Sequence, residues 1–218
     1  MAKMSPMAHG HTTGAPDPPP AKVALDEATV RQTLAKVLDR VLPAAPDTEY
    51  RFVGTASAVL RGICMPAGDL DILLKVRRGV DVFSGAVSDL PWTTCHMPPV
   101  WLPDSRQYFS RYLVNGVVVE FSTVETQTDS DAMECFGRGP WEHFDLVACG
   151  SHQVPTVALE LRLISEVSRQ RPERYQSILA YLRGRGCDVE LVRRGMARRR
   201  ISDDLQQEIL VQLLAGAT

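Results

Sequence analysis

No uninterrupted apolar run approaches the roughly 18 residues that a membrane-spanning helix needs, and the amino terminus has no signal-like hydrophobic region. The sequence therefore predicts a cytoplasmic protein without a membrane partner. Its five cysteines, Cys64, Cys95, Cys135, Cys149 and Cys187, are scattered and contain no Cys-x-x-Cys pair. That pattern excludes a disulfide framework and argues against structural zinc. Charge of one sign is not in excess either, with 24 basic against 26 acidic residues. Such a balance argues against a protein built to coat nucleic acid. Internal repeats are absent.

What the chain does have is length, 218 residues, enough for a sizeable core in one large or two small domains. Residues 1–22 combine Gly, Pro and polar residues with almost no periodic apolar content, as in a disordered tail. Asp26 is placed to cap a helix in which Val30, Leu34, Val37, Leu38 and Val41 recur at helical spacing up to Pro43. Arg51-Phe52-Val53 reads as a short strand and Ala56 to Leu60 as a helix. An apolar strand follows from Asp69, a helix over Val80 to Leu90, and a Pro-rich loop through Pro98, Pro99 and Pro103.

Gln107 to Val114 and Val117 to Thr123 are strand-like, and Asn115-Gly116 between them is the favoured two-residue hairpin turn, because both positions require positive φ. That turn sets a register in which Val114 pairs with Val117 and Arg111 with Glu120. Residues 125–141 read as a loop, Phe144 to Val154 as a strand ended by Pro155, and the remainder as helices over about 156–170, 173–183, 188–198 and 203–215. The predicted fold class is α/β, more strictly α+β, a mixed sheet flanked by helices. Its divisions are the tail, an α/β domain over 23–155 and a helical region over 156–218.

The chemistry concentrates in residues 54–75. Side chains two apart on a strand share a face, so Asp69 and Asp71 stand together while Leu70, Ile72 and Leu74 point the other way. Two like charges that close need a cation between them, and Mg²⁺ suits hard oxygen ligands. Glu120 lies on a strand whose opposite face, Val117, Val119 and Phe121, is apolar. If the two strands are neighbours, three carboxylates occupy one open sheet face, a set able to hold two metal ions about 4 Å apart. Glu120 could instead simply pair with Arg111, and Glu125 is the substitute acid under a shifted register. The Gly54-Thr55 turn offers backbone N–H groups and a hydroxyl to phosphate oxygens, with Ser57 as an alternative hydroxyl. These are parts for phosphoryl or nucleotidyl transfer.

Gly54-Thr55, Asp69-Leu70-Asp71-Ile72 and Val118-Val119-Glu120-Phe121 together resemble the signature of the DNA polymerase beta-type nucleotidyltransferase superfamily. The small size and the helical end after Val154-Pro155-Thr156 are similar to its antibiotic-modifying and minimal, antitoxin-like members. The resemblance covers about residues 26 to 170. It implies a mixed five-stranded sheet and Mg²⁺, or Mn²⁺ in its place. It also implies transfer of a nucleoside monophosphate from a nucleoside triphosphate to a hydroxyl of a small molecule or protein, releasing pyrophosphate. By position, Asp69 and Asp71 would be metal ligands, Glu120 the third ligand or the general base, and Gly54 and Thr55 the phosphate cradle. Arg162 is the nearest match to a lysine that relatives carry in the helix after Pro155. A catalytically weak partner protein of the same fold is the alternative, and a homodimer or protein partner fits either reading.

Several further groups carry a weaker message. Arg169, Arg171 and Arg174 sit at a helix junction and are a second source of triphosphate contacts. Arg193 to Arg200 spreads its charge around a helix, which suits a solvated face more than triphosphate, acidic-partner or nucleic-acid contact. His143 and His152 read as surface residues, and Trp92, Trp101 and Trp141 as packing under loops.

Overall fold

The computed structural model describes residues 24–124 and 139–215. The tail over 1–22, Glu125 and most of the loop over 125–141 lie outside the described residues. Helix α1 (Glu27–Ala44) starts where Asp26 caps it, its carboxylate accepting from the Thr29 N–H at 2.7 Å. The face of α1 formed by Val30, Leu34, Val37, Leu38 and Val41 is buried.

The strands are β1 (Tyr50–Val53), β2 (Asp69–Leu74), β3 (Thr93–Leu102), β4 (Gln107–Val114), β5 (Val117–Val124), β6 (Phe144–Cys149) and β7 (His152–Val157). They form one mixed sheet in the order β3-β4-β5-β2-β1-β7-β6. Pairing is parallel for β2 with β5 and for β1 with β7, and antiparallel elsewhere. Helix α2 (Ala56–Val59) follows β1, and α3 (Arg77–Ser88) follows β2. Phe83 of α3 meets Phe121 of β5 edge to face at a centroid distance of 5.7 Å and Tyr50 of β1 at 5.9 Å, so α3 seals the apolar side of the sheet. The short helix α4 (Gly139–Glu142) precedes β6, and α5 (Leu159–Ser168), α6 (Pro172–Arg185), α7 (Val189–Arg198) and α8 (Asp203–Leu214) complete the chain. One hydrophobic cluster runs from Leu25 to Leu213 and includes residues of the sheet and of α5 to α8.

Three expectations are corrected. Among the described residues the sheet has seven strands rather than the five that the resemblance implied. Residues 93–102, expected as part of a loop, form β3; it is an edge strand, where the missing N–H groups of Pro98 and Pro99 are tolerated, and its register shifts twice beside them. The strand expected over 144–154 is a hairpin that turns at Gly150, with φ 60°, and Pro155 lies inside β7 rather than ending it. The following helix accordingly begins at Leu159.

Candidate active site

The hairpin register is the expected one, with Val114 opposite Val117 and Arg111 opposite Glu120. The parallel pairing of β2 with β5 then sets Asp69 beside Val118 and Asp71 beside Glu120. Alternation does the rest: Leu70, Ile72, Val119 and Phe121 enter the core, and the three acids project from the other face. Asp69, Asp71 and Glu120 each offer a carboxylate oxygen within 4.8 Å of the others, and all three are half-buried. A cluster of hard, anionic oxygen donors at this spacing suits a divalent cation of the Mg²⁺ type.

Glu120 has a second partner. Arg111 Nε donates to its Oε1 at 2.8 Å, and Nη2 forms an ion pair with the same oxygen at 2.8 Å. The guanidinium thus steadies one oxygen and leaves Oε2 outside the fork, so the pairing and the triad coexist.

Gly54 follows β1 in a left-handed conformation, φ 69°, and an added Cβ would fall 1.8 Å from Asp71 Oδ2. The glycine is therefore required by the carboxylate packed against it as well as by its own backbone. Thr55 lines the same cleft, and its hydroxyl accepts from Arg174 Nη1 at 3.1 Å. Ser57, in contrast, is fully buried and donates to the Gly54 carbonyl at 2.7 Å. It closes the turn and does not line the cleft. Arg162 is also buried, paired one helical turn along α5 with Glu166, beneath the cleft wall rather than on it.

The cleft measures about 520 Å³. The acids of β2 and β5 line it together with Arg169, Arg171 and Arg174 from the junction of α5 and α6. Burial, together with repulsion from Arg171, Arg174 and Arg199, pushes the Arg169 guanidinium down to about 10, partly offset by attraction to Asp71. It stays cationic at neutral pH. On the sheet side, Gln107, Phe109 and Ser122 line the floor. Sequence reasoning missed these three, although Gln107 and Phe109 alternate with Arg111, and Ser122 with Glu120, at the strand period of two.

The remaining candidates lie elsewhere. His152 meets Asp39 at 2.7 Å. Trp92, Trp101 and Trp141 each take a neighbouring Lys or Arg against the ring, at 6.0 Å for Lys36, 4.6 Å for Arg77 and 5.0 Å for Arg51. Arg193 and Arg194 pair with Glu190 on the exposed side of α7. Among the described residues no helix is long and apolar enough to cross a membrane.

Helices flank the mixed sheet, and the acidic triad stands on one of its faces. The chain is similar to the crystal structure of a Thermotoga maritima protein provisionally named a nucleotidyltransferase, with a TM-score of 0.50 and 16% sequence identity over 73% of this chain and 96% of that one. At that identity the likeness is one of fold. No protein-family model and no curated protein matches the chain.

Proposed function

We propose that the protein is a nucleotidyltransferase, moving a nucleoside monophosphate from a nucleoside triphosphate to a hydroxyl of a small molecule or protein and releasing pyrophosphate. The convergence of Asp69, Asp71 and Glu120 from two strands carries this reading. Those three side chains would hold Mg²⁺, with Mn²⁺ as its substitute. When bound, the metal would neutralise phosphate charge and lower the pKa of the attacking hydroxyl.

The chain's own residues supply position. Asp69 and Asp71 are held side by side by the pleat of β2. Glu120 is aimed by Arg111, and its Oε2 is the oxygen available to complete the ligand set or to take the acceptor proton. The Gly54-Thr55 turn lines the same cleft as the acids and would offer its backbone N–H groups and the Thr55 hydroxyl to the phosphates. Residues 23–155 carry this apparatus, and the helical region from 156 contributes the basic wall.

The test is a triphosphate-dependent screen of acceptors, including aminoglycosides, lincosamides and purified proteins, that follows mass gain on the acceptor. Calorimetric titration with each Mg-bound triphosphate accompanies it. Failure of every triphosphate to bind would replace the reading with that of a partner protein acting by association.

A further inference from the structure

The basic wall of the cleft is built from one short bend. Gln170, with φ 54°, reverses the chain between α5 and α6. Around it the Arg169 N–H donates to the Ser165 carbonyl at 3.2 Å, the Gln170 N–H to Val167 at 2.9 Å and the Arg171 N–H to Glu166 at 3.1 Å. Arg174 follows Arg171 at helical spacing, on the same side of α6. Three guanidiniums from six consecutive residues therefore line the cleft.

Beneath them lies Glu166, whose side chain is 0% exposed. Its carboxylate pairs with buried Arg162 and stands 3.7 Å from Arg171 Nη1 and 3.6 Å from Arg174 Nη1. A single buried anion thus serves three guanidiniums, two of which, Arg171 and Arg174, line the cleft. Arg174 also donates to the Thr55 hydroxyl, which ties the wall to the turn packed against Asp71. Guanidiniums keep their charge and present fixed donor forks that match phosphate oxygens. Several forks in a row suit a chain of phosphates better than a single one.

We propose that Arg169, Arg171 and Arg174 form a clamp for a polyphosphate chain that works without the metal, and that Glu166 is the positioning residue that holds it in shape. That the chain is the tail of a nucleoside triphosphate rests on the nucleotidyltransferase reading; inorganic polyphosphate shares the chemistry.

The experiment is calorimetry on the full chain in EDTA, with sodium tripolyphosphate, orthophosphate and ATP as probes. Tripolyphosphate is expected to bind at one site, at least tenfold tighter than orthophosphate, and ATP to displace it. Arg171→Ala and Arg174→Ala should each weaken tripolyphosphate at least tenfold, whereas Asp71→Asn should leave it unchanged or tighter. Glu166→Gln should reproduce the loss in a protein that still melts cooperatively. If that variant unfolds, the two arginine variants decide alone. Tripolyphosphate that binds no tighter than orthophosphate overturns the clamp, even where Mg²⁺-dependent transfer is observed. Tripolyphosphate that binds but is not displaced by ATP overturns its assignment to a nucleotide tail. A clamp that binds both in a protein without transferase activity leaves the clamp standing and removes the enzyme reading.

Discussion

Gly54 and Asp71 occupy adjoining space: the carboxylate Oδ2 of one lies 1.8 Å from where a methyl group on the other would sit. Two strands create this contact, since Val53 of β1 is the register partner of Asp71 in β2. Gly54→Ala meets two costs together. A left-handed backbone at a non-glycine residue costs about 1–2 kcal/mol, and Asp71 must also move. The expected result is a lower melting temperature and transfer reduced on the order of 100-fold, the scale of loss for about 1 Å of misplacement. Wild-type turnover in this variant would show that Asp71 need not stay where it is.

Asp71→Asn separates chemistry from folding. It removes one of three crowded negative charges, so stability should hold or rise slightly. Transfer should fall about 1,000-fold, the equivalent of losing several kcal/mol of charge stabilisation. Thermal melts and rate measurements on one preparation distinguish the two effects. Retained activity would remove the metal assignment.

The triad should make stability depend on divalent cation. A ligand that binds only the folded chain stabilises it by about 2.7 kcal/mol at 100 times its Kd. Mg²⁺ should therefore raise the melting temperature and EDTA should reverse the rise. In Asp71→Asn the response should be largely lost, and an undiminished response there would place the cation elsewhere.

Arg111 aims Glu120 by a hydrogen bond from Nε and an ion-pair contact from Nη2, both to one oxygen. Both side chains are less than a third exposed, so Arg111→Ala should cost about 1.5 kcal/mol, the low end for hydrogen bonds to a charged group. It should also slow transfer about tenfold. Arg111→Lys should recover less than half of either loss, because a point charge cannot reproduce the fork. Full rescue by lysine would mean that charge alone is needed.

The legible parts were those encoded over a few residues. Asn115-Gly116 determined the β4–β5 register, and with it the pairing of Arg111 with Glu120. The pleat placed Asp69 beside Asp71. Long-range adjacency was harder. Nothing near Thr93–Leu102 shows that this stretch lies on an edge, where prolines survive, so a strand reads as a loop. Arg162 and Arg171 are alike as residue types, and only the packing of α5 and α6 decides that one is buried while the other lines the cleft. Ser57 is similar: its hydroxyl is taken by the Gly54 carbonyl three residues before it. The basic wall was visible as arginines around Pro172, but its buried anchor, Glu166, carried no local signal.

β2 and β5 lie side by side although α3, β3 and β4 separate them along the chain. Such distant pairing requires the entropy of closing the loop between its partners to be paid first. A nascent chain that stops before Val117 can bring at most two of the three carboxylates to an ion. Cation capture by the proposed triad would thus be a timestamp for sheet closure, and a luminescent lanthanide added to refolding protein should light up only once both halves of the sheet have met.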